Sequence, residues 1–162
     1  MTYIATIASA IRKGAIEVFE LPTWELRQPI RPLYVALKLF HWVDNTAELY
    51  DYELAEGGRF LEEHLEQMFC DFRCAKRPPA GDLRRMIPTA DGIWKLHPPK
   101  LRVYGWIPAA HSFVAVTAAL ESETKHDKSL NHNKMKYVRD FIKRHDLEET
   151  IIRGDVRAVF PK

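Results

Sequence analysis

DGIWKLHPPKLRVYGWIPAAHSFVAVTAALESETK, residues 91–125, is the stretch on which the reading of this chain turns. Three apolar runs follow one another at 93–97, 101–106 and 112–120, with Pro98-Pro99 and Pro108 between them. Proline has no amide to give to a central ladder, so it marks strand ends, and the pattern predicts a three-stranded meander. Basic and ring-bearing residues are interleaved with the apolar ones: Lys95, His97, Lys100, Arg102 and Tyr104. Successive strand residues point to opposite faces, so the meander would turn a core to one side and cations to the other. A cationic sheet face suits a phosphate backbone.

Upstream, residues 59–74 carry Phe60, Leu61, Leu65, Met68, Phe69 and Phe72 on one helical face and Glu62, Glu63, Glu66 and Asp71 on the other. Such an amphipathic helix must bury its apolar stripe, which reads as core. Residues 33–43 predict a buried helix, and Asp44-Asn45-Thr46 offers a cap for a second helical stretch over 47–55. Residues 2–12 predict a short helix closed at Gly14, and 15–21 a strand with one solvated face, followed by an extended connection marked by Pro22 and Pro29. Residues 83–86 lead from a Pro-Pro-Gly loop into the meander. Downstream, the polar stretch 121–133 reads as a loop. Residues 134–145 read as a helix with Met135, Val138, Phe141 and Ile142 inward, and 149–160 as a small hairpin turning at Gly154-Asp155.

The order is that of an α+β fold. It predicts a small twisted, largely antiparallel sheet with two helices packed on one face, plus a C-terminal helix. The second face is then solvated or in use. One domain spans 1–162, with an N-terminal extension of about 30 residues and a short C-terminal one over about 149–162.

Hydrophobic residues make up 46% of the 162, enough for one real core and too many for a disordered chain. The apolar runs fall short of the roughly 20 residues of a membrane span. Arg12 and Lys13 follow the first apolar stretch rather than precede it, the wrong order for a secretory signal, so the expectation is a cytoplasmic protein with no membrane contact. Cys70 and Cys74 have no second pair to complete a zinc set, and the histidines show no metal spacing, so no cofactor or metal is expected.

The net charge of +2 is unevenly spread. Residues 44–74 hold nine acids against two bases, a balance of −7. Residues 76–105 hold Lys76, Arg77, Arg84, Arg85, Lys95, Lys100 and Arg102 against Asp82 and Asp91, a balance of +5. The last helix adds Lys134 and Lys136. This split suggests one polyanion-facing surface and one that avoids polyanions, although ordinary charge balance would also produce it.

Strand, two helices, meander and C-terminal helix resemble the RelE/ParE toxin superfamily, most closely its HigB-like, phage-associated branch. The residues that carry the likeness are Asp91-Gly92-Ile93-Trp94-Lys95-Leu96-His97, then Leu101-Arg102-Val103-Tyr104, then 113–120 with Thr124-Lys125 after it. They are similar to that branch's "dGIWeLR" strand, its "yRvfYf" strand, and an apolar strand that ends in a basic loop. The likeness covers roughly 83–147.

The resemblance implies a toxin of a bacterial toxin–antitoxin pair. Such a toxin would be a metal-independent endoribonuclease cutting ribosome-bound mRNA by attack of the ribose 2′-hydroxyl on the adjacent phosphate. Cations stabilise the phosphorane and a proton-transfer group assists the leaving 5′-oxygen. By position, Arg102 and Lys95 would hold the phosphate, with Lys125 in support and His97 moving the proton. Lys76, Arg77, Arg84, Arg85, Lys100, Tyr104, Lys134, Lys136 and Tyr137 would contact RNA. The implied partners are a cognate antitoxin, mRNA and the ribosome. Glu121-Ser122-Glu123 departs from the lysine-rich family loop. That departure leaves open a non-catalytic inhibitor of a host protein, of the gyrase-poisoning kind, and also a nucleic-acid binder without turnover.

Each of these residues also has a plain structural use. Arg102 would pair with Asp91 or Glu121 at the surface, Lys95 would be a solvated strand lysine, His97 a strand-end histidine, and Tyr104 part of the core.

Overall fold

The computed structural model describes residues 3–74 and 83–154. A six-stranded sheet runs through the molecule in the order β1-β2-β6-β5-β4-β3. Its strands are β1 (Ile16–Val18), β2 (Leu33–Ala36), β3 (Leu83–Arg85), β4 (Ile93–Leu96), β5 (Leu101–Trp106) and β6 (Phe113–Leu120). All neighbours are antiparallel except β2 and β6, which are parallel. The helices are α1 (Tyr3–Arg12), α2 (Leu37–Asn45), α3 (Leu61–Cys74), α4 (Glu121–His126) and α5 (Leu130–Arg144). The fold is therefore α+β, with a mostly antiparallel sheet and a C-terminal helix. No helix among the described residues is long and apolar enough to cross a membrane.

The meander stands where the prolines and apolar runs put it. The second face of its sheet differs from expectation, because helices cover both sides. Leu39 of α2 and Leu61, Leu65, Phe69 and Phe72 of α3 pack with Leu33, Val35, Trp94, Leu96, Leu101 and Val103 on one face. Ile7 and Ala10 of α1 and Met135, Val138, Phe141 and Ile142 of α5 pack with Ala36, Ile93, Tyr104, Trp106 and Val114 on the other. Every residue of β6 is buried, as a central strand between two helical layers requires.

Three local expectations are corrected. Residues 33–36 are strand β2, not the start of a helix. The apolar run is helical only from Leu37, since Leu33–Ala36 pairs with both β1 and β6. Residues 47–55 form two 3₁₀ turns, Ala47–Tyr50 and Tyr52–Leu54, and the Thr46 hydroxyl turns back to the Trp42 carbonyl instead of capping forward. Residues 121–126 are α4 and α5 starts at Leu130, so the expected loop shrinks to the link between two helices. Residues 83–85 add an edge strand to the meander. The hairpin expected at 149–160 lies partly outside the described residues; within them, Glu148–Thr150 is a 3₁₀ turn.

A β-bulge lies between β5 and β6, where Tyr104 faces Thr117 but Gly105 faces Ala115. Val116 joins the α1/α5 core, and the Thr117 hydroxyl also reaches α5 through Lys134. A bulge thus keeps two consecutive residues on one face. Gly105 sits where the strands crowd: a Cβ there would meet the Val114 carbonyl oxygen at 1.8 Å.

Candidate phosphate-binding face

Strand alternation sets the site. Trp94 and Leu96 point into the α2/α3 core, so Lys95 and His97 lie on the α5 side of the sheet. Leu101 and Val103 do the same for Arg102. Lys95 has Arg84 as its Cα partner on β3 and Tyr104 on β5. The β4–β5 register, continued one step beyond Leu96 opposite Val103, sets His97 across from Arg102. Directly opposed side chains start roughly 5 Å apart and diagonal ones roughly 7–8 Å apart, within reach of one phosphodiester. Helix α5 packs chiefly on β5 and β6, and Lys95, His97 and Arg102 each remain partly exposed.

The electrostatics match that crowding. Burial, then Arg102 and Arg84, push the Lys95 ammonium below its ordinary pKa. Burial, then Arg102, Lys95 and Arg84, bring His97 down to about 4. His97 is therefore neutral at pH 7, and its Nε2 is buried without a hydrogen-bond partner among the described residues. Lys134 flanks the patch from α5, where its Nζ donates to Thr117 Oγ1 at 3.5 Å and burial lowers its pKa.

Glu121, the first residue of α4, supplies a carboxylate. Its Oε2 accepts from Arg102 Nη2 at 2.9 Å, and its Oε1 accepts from Lys125 Nζ at 2.5 Å. The Lys125 hydrogen bond, aided by the Arg102 charge, holds the Glu121 carboxyl below the usual range. The surface salt bridge expected of Arg102 is thus real, and it shares its guanidinium with the patch.

The structure separates several residues that sequence reasoning grouped. Arg85 faces the same way as Trp94, toward the α3 side, and donates to the Thr89 carbonyl at 3.3 Å. Lys100 pairs with Glu56 at 3.2 Å and lines a cavity of about 470 Å³ with Leu54, Leu61, Leu120, Glu121 and Lys125, so it adjoins the Glu121–Lys125 pair and not Lys95. The Tyr104 ring is fully buried, so it is core and not a stacking platform. Its hydroxyl donates to Asn131 Oδ1, and burial pushes its pKa up to about 12. Lys125 is exposed and tied to Glu121. Lys136 and Tyr137 are exposed on α5. Lys76 and Arg77 lie outside the described residues.

Sequence reasoning named Glu121 as a partner for Arg102 but missed its second bond to Lys125, and missed Asn131 and Thr117 as polar supports. The Glu121–Lys125 spacing was the available signal, because an i,i+4 acid–base pair favours a helix.

Cys70 and Cys74 are free thiols; burial pushes the Cys70 thiol up to about 12, so it is inert at neutral pH.

Fold and site together define a three-layer α+β domain with a half-buried cationic cradle on its sheet. The chain matches no protein-family model, no curated protein and no solved structure.

Proposed function

We propose that this protein is a RelE/ParE-type toxin of a toxin–antitoxin pair, an endoribonuclease that cuts mRNA on the ribosome without a metal. The observation that carries this reading is the patch itself: Arg84, Lys95 and Arg102 on adjacent strands around His97, whose Nε2 has no hydrogen-bond partner among the described residues. Lys95 and Arg102, partly buried, and the exposed Arg84 beside them concentrate positive charge that favours an added anion at this face.

The chemistry follows from those groups. Arg102 and Arg84 bind the non-bridging oxygens and stabilise the charge that develops on the phosphorane. Neutral His97 accepts the 2′-hydroxyl proton as the 2′-oxygen bonds to phosphorus. The bond to the 5′-oxygen breaks, and Lys95, made more acidic by its neighbours, protonates that oxygen. The products are a 2′,3′-cyclic phosphate and a free 5′-hydroxyl. A cognate antitoxin would cover this face with acidic side chains.

The test is induced expression in a bacterial host, with growth followed and transcript 5′ ends mapped, against the Lys95→Ala/Arg102→Ala variant. Growth arrest with new ends that vanish in the variant supports the reading; unchanged cutting by the variant sinks the site.

One observation favours a second reading. Glu121 already neutralises part of the Arg102 and Lys125 charge, as suits a non-catalytic inhibitor that binds a host protein. Arrest without any RNA cuts would favour it.

A further inference from the structure

On the opposite side of the sheet, helices α2 and α3 do not close over the core completely. A groove of about 220 Å³ opens between them, floored by Leu39, Leu65 and Phe69. Its rim carries Asp44, Tyr50, Glu62 and Glu66, and among the described residues no Lys, Arg or His lines it. The carboxylates crowd one another: burial, then Glu66 and Glu63, raise the Glu62 pKa. Burial, then Glu62 and Asp44, raise that of the Tyr50 hydroxyl. Beside the rim, the half-exposed Trp24 indole donates to Glu66 Oε1 at 3.2 Å.

The shape and charge restrict the occupant. The volume is below the roughly 300–1,000 Å³ of a small-molecule pocket, but it accepts an apolar anchor side chain or two. A rim carrying three carboxylates repels nucleic acid and anionic lipid. A cationic segment is complementary to it, and a helix is the element that offers apolar anchors at i, i+3 and i+4 with charge on both flanks. We propose that the α2/α3 groove docks a basic amphipathic helix of a partner protein, with Leu- or Phe-type anchors on the floor and Lys or Arg against Glu62 and Glu66. This surface is separate from the cationic face, and the inference stands independently of the nuclease reading.

The test uses the full chain and a fluorescent 16-residue peptide of leucine and lysine with its leucines at i, i+3, i+4 and i+7. Fluorescence anisotropy compares it with a scrambled peptide of the same composition and with a glutamate-for-lysine version. The proposal expects binding of the striped basic peptide alone. It expects a loss of about tenfold or more in Glu62→Gln/Glu66→Gln, since two charge-assisted contacts go. Glu48→Gln/Glu53→Gln, which removes exposed acids outside the groove, should change affinity less than about twofold. Circular dichroism confirms that both variants are folded, and RNA cutting by either should be unaltered. No binding of the striped peptide, equal binding of the scrambled one, or equal losses in the two variants overturns the proposal.

Discussion

Arg84 and Lys95 stand directly opposite each other across β3 and β4, a like-charged cross-strand pair on the α5 side of the sheet. Such a pair destabilises a sheet by roughly 0.2–1 kcal/mol relative to a neutral one. Arg84→Thr should weaken RNA binding by removing one phosphate-facing cation. The slope of log affinity against log salt should fall by about one phosphate contact. A variant that loses stability and keeps the full slope would show that Arg84 serves the fold and not the ligand.

His97 makes stability depend on pH. Its folded pKa of about 4 lies below the ordinary value of about 6.5. Between those values the unfolded chain binds the extra proton, so stability is full above about 6.5 and declines as pH falls toward 4. The loss from this residue is on the order of 2 kcal/mol. His145, also depressed by burial, contributes in the same direction, so His97→Gln should flatten the slope only in part. Urea denaturation between pH 4 and 7 checks this, and an NMR titration of the His97 ring gives its pKa directly. The titration repeated with a bound oligonucleotide analogue should show that pKa rising.

Glu121 holds Arg102 and Lys125 in the free protein. Glu121→Gln should raise affinity for a non-cleavable oligonucleotide by about threefold or more, the scale of one surface ion pair released. An unchanged or lower affinity would mean that the carboxylate positions Arg102 for binding and does not compete with the ligand.

Gly105 has no room for a side chain. In Gly105→Ala the new Cβ collides with the Val114 carbonyl at the bulge, in the middle of the buried sheet. The cost should be at least about 2 kcal/mol, read from the urea midpoint at an unchanged m-value.

The meander was legible because proline punctuation and apolar runs act locally, with Pro98-Pro99 and Pro108 bracketing residues 101–106. Residues 33–43 were not, because an apolar run buried on both faces has no periodicity to separate strand from helix. Pairing with β1 on one side and with β6, about eighty residues away and parallel, on the other makes Leu33–Ala36 a strand. At the site, alternation alone put Lys95 and Arg102 on one face. Two features needed the tertiary fold. The register across β3 and β4 sets Arg84 beside Lys95 and Arg85 beside Trp94, and the N-terminal turn of α5 closes over Tyr104 through Asn131. The covering of the second sheet face by α1 was also hidden, because ten residues with an apolar stripe do not say which surface they cover.

The central claim is that the Lys95–His97–Arg102 face makes a 2′-hydroxyl cut a phosphodiester. The most direct measurement is the chemistry of RNA ends made by purified protein on translating ribosomes, with the same message carrying a single 2′-deoxynucleotide at the mapped cut site. The account predicts 2′,3′-cyclic phosphate and 5′-hydroxyl ends, and no cut at the deoxy position. Cleavage that persists there, or ends bearing a 5′-phosphate, would contradict it.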